Sequence, residues 1–367
     1  MVPVLTGDLS LSVVGTVTEV TDNKVYGFGH SFLGYGPVDM PMAEGTIHTV
    51  VSSVARSFKV GSPGRIAGAL RVDEAAAVVG NRDANASMIP LTIKLDRYNM
   101  TGPNTFKCSM VDNSTLTPVI TQIAISGAGT IEGSLPPDHK IRYSGKIDIE
   151  GYQPLSFENV STESGFRDVL MEAIGSVGVL MNNPYKEVKL EGLEFSLNIT
   201  RENIRGQIWS VNLSDSTVKP AQTVEVEVVV ESWLGEKNSY NFKLDIPENL
   251  NPGKYKIRVL GGSRYQNFLQ QQAPQRFLSE NMSTLIEAMN ASLNIKRNRL
   301  HCLLELGPDG IAIERAELPS LPATRAMVLQ DEKRVLRTRP YFRWIEKSKE
   351  IPEIINEQQV LEITVEE

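Results

Sequence analysis

Little in this chain speaks for metal, thiol or membrane chemistry. Only two cysteines and four histidines occur in 367 residues. No Cys/His cluster has zinc-ligand spacing, so neither a structural metal site nor a cofactor is expected. Cys108 and Cys302 stand far apart and read as two buried free thiols in preference to one long-range disulfide. No run of about 18 apolar residues is present, so no membrane span is expected. With 37 basic against 44 acidic residues the formal charge is −7, which argues against broad nucleic-acid binding. Glycines 27, 29, 34 and 36 do not form G-x-G-x-x-G and no Gly-Lys-Ser/Thr follows, which argues against nucleotide binding. There is no Gly-x-Ser-x-Gly elbow, no internal repeat, no low-complexity block and no signal peptide after Met1. The chain either starts in the cytoplasm or is a piece whose leader is left out.

What the sequence does hold is β pattern. Residues 1–160 form a first expected domain. Leu9 to Val13 alternates, Glu19 to Val25 reads as strand, turn at Asp22-Asn23 and returning strand, and Lys24 to Phe28 is a strand. Thr46 to Val60 is β-branched and reads as strand or short helix. Gly61-Ser-Pro-Gly64 reads as a turn. Strands follow at Ile66–Val72, Ala76–Gly80, Met88–Leu95, Thr105–Val111 and Ile141–Ile149, a succession that suits a barrel or sandwich.

Residues 161–202 read as a connector. Phe166, Val169, Leu170, Ala173, Ile174 and Val177 have helical spacing behind a cap at Ser164, and a strand follows at Val188–Ile199. Residues 203–262 read as a small immunoglobulin-like β-sandwich without the cysteine signature, with Val224, Val226, Val228 and Val230 turned to one face. In 263–367 a helix is expected over Phe277–Leu293, a hairpin from Leu300–Leu306 and Gly310–Arg315, and a charged tail ending in a strand at Gln359–Val365.

The candidate chemistry centres on Gly27 to Asp39, which reads Gly-Phe-Gly-His-Ser-Phe-Leu-Gly-Tyr-Gly-Pro-Val-Asp. The flanking glycines allow backbone angles closed to other residues, and His30 is suited to act as a general base near neutral pH. Asp39, nine residues on, is the candidate to orient it; a solvated loop aspartate is the plainer reading. A metal site from His30, Asp39 and His48 has no register to support it. Ser126-Gly127 and Ser144-Gly145 read as strand-turn contexts, and Asp73-Glu74 as surface charge.

These residues carry a family resemblance. Gly15-Thr-Val-Thr, Val25 to Met42 and Pro63-Gly-Arg-Ile-Ala-Gly-Ala-Leu-Arg-Val-Asp through Val79-Gly80 resemble the SpoIVB-type serine peptidases, in particular the large secreted bacterial branch with its Gly-His-Pro-Phe-Leu motif. Ser31 replaces that proline. The match covers about residues 9–95. It implies a trypsin-like β-barrel around His30, His30 as catalytic base, and an extracytoplasmic bacterial protein. The family's nucleophile motif, Gly-Met-Ser-Gly-Ser-Pro, is absent from this sequence. Three readings follow: a peptidase-family chain inactive alone, completed by an N-terminal segment or separate chain that supplies the serine; a non-catalytic extracytoplasmic scaffold that binds a protein or peptide; and an unrelated cytoplasmic enzyme using His30.

Overall fold

The fold is known from a computed structural model, which describes residues 1–54, 57–233, 235–330 and 338–367. Parts of the expected Thr46–Val60 element, of the 203–262 sandwich and of the charged tail lie outside the described residues. The architecture is mixed α/β, dominated by several β-sheets with a few helices. By compactness the chain divides into two units. The first takes Met1–Leu135, Ser144–Ser156 and Gly165–Asn198; the second takes Pro136–Tyr143, Phe157–Ser164 and Ile199–Glu367.

A seven-stranded sheet runs Leu155–Ser161, Lys140–Ile149, Leu190–Thr200, Met88–Arg97, Asn104–Val111, Val2–Gly7, Leu11–Val13. Strict alternation explains its buried face: Ile89, Leu91, Ile93 and Leu95 point one way and are all buried. In the first unit, helix α1 (Leu116–Thr130) lies on Met88–Arg97 and Asn104–Val111 and packs against α2 (Arg167–Met181). The apolar residues of α1 and α2 recur at helical spacing, burying Ile120, Ala124, Ala128, Ala173, Val177 and Leu180. The sequence reading missed α1, whose Thr, Ser and Gly content weakens its periodic signal. Ser126-Gly127 therefore lies within a helix, not a strand-turn. Helix α2 is entered through Phe166 in a left-handed conformation (φ 60°), not through a cap at Ser164.

A five-stranded sheet in the first unit has the order Val17–Thr21, Lys24–Gly27, Val78–Asn81, Phe58–Asp73, Gly36–Val51. The described sheets do not close into a barrel, although one is partly curled. In this sheet the edge strand Val17–Thr21 is short and exposed along its length, while Gly36–Val51 and Phe58–Asp73 run on together as a two-stranded ribbon. Gly61-Ser-Pro-Gly64 belongs to that ribbon and is not a turn.

The second unit is a sandwich of two sheets. One has the order Lys237–Asp245, Thr223–Ser232, Arg205–Leu213, Ile354–Ile355. The other has the order Thr217–Val218, Gln358–Val365, Gly253–Gly261, Arg299–Ile313, Ala316–Pro319, with Thr338–Glu350 also paired to Arg299–Ile313. Val224, Val226, Val228 and Val230 are all buried, against Ile257, Val259, Leu304 and Ile363 of the facing sheet. The stretch 203–262 thus supplies three of the four strands of one layer and two strands of the next, Thr217–Val218 and Gly253–Gly261. Chain beyond 262, read as hairpin and tail, supplies the rest of the second layer. Leu300–Leu306 and Gly310–Arg315 are not the two arms of a hairpin: residues 299–313 are one strand. Helices α3 (Gly262–Gln272), α4 (Met282–Leu293) and α5 (Ala323–Leu329) complete this unit. Thr284 and Asn281 form a reciprocal capping box that sets the start of α4 at Met282 instead of Phe277.

Candidate functional site

His30 sits on the loop between Lys24–Gly27 and Gly36–Val51. Phe28, Gly29, Gly34 and Gly36 take positive φ of 68°, 70°, 74° and 70°. Three of the four are glycine, as left-handed backbone favours. The loop is fixed from below by Asp73, the last residue of its strand. The Asp73 carboxylate accepts hydrogen bonds from the backbone N–H of Phe32 at 2.6 Å, Leu33 at 2.7 Å and Gly34 at 2.8 Å. Asp73 is 1% exposed. Burial alone would raise its pKa, but the backbone donors outweigh burial and hold the carboxyl below the usual aspartate value. Asp73 is therefore a buried loop anchor, not the surface charge expected of Asp73-Glu74. Its signal in the sequence was slight: an acidic residue closing an alternating apolar strand.

The His30 ring is exposed on this clamped loop. Its Nδ1 lies 2.5 Å from the Ser31 carbonyl oxygen. A carbonyl only accepts, so Nδ1 carries the proton in that bond, and Nε2 of the neutral ring keeps its lone pair. The Phe28 ring meets the imidazole edge-on with centroids 5.8 Å apart, and Phe32 stands 5.7 Å from Phe28. The arrangement holds an exposed imidazole on a loop tied to Asp73.

Asp39 has partners other than His30. Arg71 Nη1 donates to its Oδ1 at 2.6 Å, and the backbone N–H of Ser87 donates to Oδ2 at 2.9 Å. Arg71 also donates to the Asn85 carbonyl at 3.0 Å. Among the described residues no hydrogen bond joins His30 to Asp39. Asp39 instead lines a cleft of about 1000 Å³ with Asp112, Glu187 and Lys189. Burial raises the Asp112 carboxyl above its ordinary value; Lys189 opposes this, and the neighbouring Asp39 and Glu187 add to it.

The other candidates are dispersed. His48 Nε2 lies 2.9 Å from the Ser62 hydroxyl across the exposed ribbon, so His30, Asp39 and His48 each have separate partners. No acidic group bonds the other His48 ring nitrogen among the described residues, which leaves a serine–imidazole contact without an orienting third member. Both cysteines are free and buried; burial raises the Cys108 thiol and pushes Cys302 up to about 12, so neither is a thiolate at neutral pH.

A second polar constellation went unseen in the sequence. In the second unit His301 is 4% exposed, and its Nδ1 lies 2.8 Å from Glu346 Oε1. The Tyr265 hydroxyl donates to Glu346 Oε2 at 2.6 Å, and its ring stacks on the His301 imidazole with centroids 3.7 Å apart. His301 and Glu346 are brought together by the pairing of Arg299–Ile313 with Thr338–Glu350, a contact between residues 45 positions apart that no local motif announces.

Comparison with known proteins gave no match: no family model, no curated protein and no solved structure corresponds to the chain.

Proposed function

We propose that this chain is a relative of the SpoIVB-type serine peptidases that presents His30 as the base of a Ser–His site and is inactive alone. The serine comes from a segment or chain outside this sequence, and the protein works outside the cytoplasm on a protein or peptide. The observation that carries the reading is the His30 loop. A buried carboxylate, Asp73, clamps three successive backbone N–H groups beneath an exposed imidazole whose Nδ1 donates to Ser31. A general base needs this tautomer, with Nε2 free to take a proton from an incoming hydroxyl. Removing the nucleophile removes nearly all of a triad's rate enhancement, since its members act as a unit.

One observation favours the alternative of a non-catalytic extracytoplasmic scaffold: Asp39 is engaged by Arg71 and Ser87, so His30 lacks an acidic orienting partner from this pair. A fluorophosphonate probe separates the readings. The chain is treated alone and mixed with a polypeptide bearing the family's Gly-Met-Ser-Gly-Ser-Pro segment, in wild type, His30→Ala and Ser62→Ala. The peptidase reading expects labelling only in the mixture, on the added serine, lost in His30→Ala and kept in Ser62→Ala. Absence of labelling in the mixture, or labelling indifferent to His30, overturns it in favour of the scaffold.

A further inference from the structure

The ribbon formed by Gly36–Val51 and Phe58–Asp73 presents apolar side chains that the described residues leave exposed. Ile47, Val50, Val51, Phe58 and Val60 are all exposed, and Val54 near the tip is fully so. The register shows how they are distributed. Val51 faces Phe58 and Thr49 faces Val60 across the strands, while Val50 faces Lys59. Alternation turns the Val51–Phe58 and Val50–Lys59 pairs to opposite sides of the ribbon. Exposed apolar side chains therefore lie on both sides of the ribbon's outer end and are not confined to one. A folded partner with a groove would cover one side; a lipid interface surrounds whatever is dipped into it.

Charge points the same way. From Gly45 to Val72 the sequence contains no aspartate or glutamate, although the chain as a whole is at −7. The same stretch carries Arg56, Lys59, Arg65 and Arg71. Arg65 is paired with Glu44 at 2.8 Å and Arg71 with Asp39 at 2.6 Å, both toward the sheet. Lys59, whose Nζ donates to the Thr16 hydroxyl at 3.3 Å, has no acidic partner among the described residues. A long basic side chain next to apolar ones can lay its stem along the acyl boundary and keep its ammonium at the headgroups.

We propose that the outer end of this ribbon, through the exposed side chains of Val50, Val51, Val54, Phe58 and Val60, inserts into the interface of a bilayer rich in anionic phospholipid. Depth is limited by the backbone. Gly36–Val51 is an edge strand, and beyond the sheet both edges of the ribbon lack a neighbouring strand among the described residues, so its free N–H and C=O groups must stay among water and headgroups. At ~3.3 Å per residue, the strand residues Phe58 to Val60 and Thr49 to Val51 span about 7 Å, within the depth of the headgroup and acyl boundary. Apolar burial and attraction to anionic lipid then act together, as in other interfacial anchors.

The test is flotation of the full chain with vesicles of phosphatidylcholine alone and of phosphatidylcholine mixed with phosphatidylglycerol. The expected result is binding to the mixed vesicles only, weakened by salt as exposed charges are screened. The double variant Val54→Asp/Phe58→Asp is expected to lower the bound fraction at least about tenfold, and Lys59→Glu to lower it several-fold. All three positions are on the ribbon surface, and unchanged near-ultraviolet dichroism and melting show that the variants fold. Failure of the wild type to float with mixed vesicles overturns the proposal. So does flotation that the double variant leaves intact. Concentration-dependent dimerisation of the wild type without flotation, lost in the double variant, overturns it in favour of a second copy of the chain at the tip.

Discussion

Asp39 is held by Arg71 at 2.6 Å across adjacent strands, and that contact decides what Asp39 does. The two side chains remain 35% and 41% exposed, so water screens the pair. Surface ion pairs of this kind contribute about 0.2–1 kcal/mol. Asp39→Asn and Arg71→Ala are each expected to cost about that much in urea unfolding, with a coupling in the double-mutant cycle no larger than about 1 kcal/mol. A cost above about 3 kcal/mol for either would show a role beyond this contact.

Asp73 is a different kind of aspartate. It is buried beneath three close backbone donors and a fourth, Tyr35, at 3.5 Å, and hydrogen bonds to a charged acceptor are stronger than neutral ones. Asp73→Ala is expected to destabilise the first unit by about 2–3 kcal/mol and to speed amide exchange at Phe32, Leu33 and Gly34. The pH dependence follows from the direction of its shift. The folded-state value lies below the ordinary 3.8, so the stabilisation is fully present above 3.8 and is lost as pH falls through the lower folded value. Amide exchange followed through the acid range in wild type should show protection of these three residues surviving to below 3.8. Protection lost at higher pH would contradict the assignment.

The periodic strands were legible from sequence because alternation is local. Val224 to Val230 and Met88 to Leu95 show their buried faces residue by residue. The sandwich's second layer was not legible, because Gly253–Gly261 finds its partners at Arg299–Ile313 and Gln358–Val365, and nothing within one strand names a distant neighbour. Helix α1 was missed because its residues carry weak individual preference and are held by packing on the sheet. At the site, the glycine spacing located the His30 loop. It did not reveal Asp73 as the anchor or Arg71 as the partner of Asp39, since both contacts join positions more than 30 residues apart in sequence.

Gly129 of α1 lies against the ring of Phe166, whose left-handed backbone opens α2. A Cβ added at Gly129 would come within 2.4 Å of the Phe166 Cζ. The ring is 1% exposed and has little room to yield. Gly129→Ala is therefore expected to destabilise by about 1–3 kcal/mol despite alanine's better helix propensity. Phe166→Ala, which leaves a cavity, is expected to cost about 3–5 kcal/mol. Combining the two should cost less than the sum, because the added methyl enters the space the ring vacated. Thermal or urea unfolding of the three variants measures this; simple additivity would refute the packing argument.

Glu346 links the sandwich's polar core to pH. Burial works to raise its carboxyl, but the hydrogen bonds from His301 and Tyr265 outweigh burial and hold it below its ordinary value of 4.5. The Tyr265 hydroxyl moves the other way, raised by burial and by the carboxylate it serves. Because the folded-state value of Glu346 is depressed, its contribution is fully present above about 4.5 and disappears as pH falls through the folded value. Glu346→Gln is expected to lower stability at neutral pH by about 1.5–3 kcal/mol, the worth of hydrogen bonds to a charged group, and to flatten the acid limb of the stability curve. Tyr265→Phe removes one of the three side-chain donors, leaving His301 and Trp344, and keeps the ring that stacks on His301, so it should reduce the acid slope without abolishing it. Urea unfolding between about pH 3 and pH 7 measures both effects. If Glu346→Gln leaves the acid slope of wild type intact, another carboxylate governs acid unfolding and the Tyr265–Glu346–His301 group is a packing element alone.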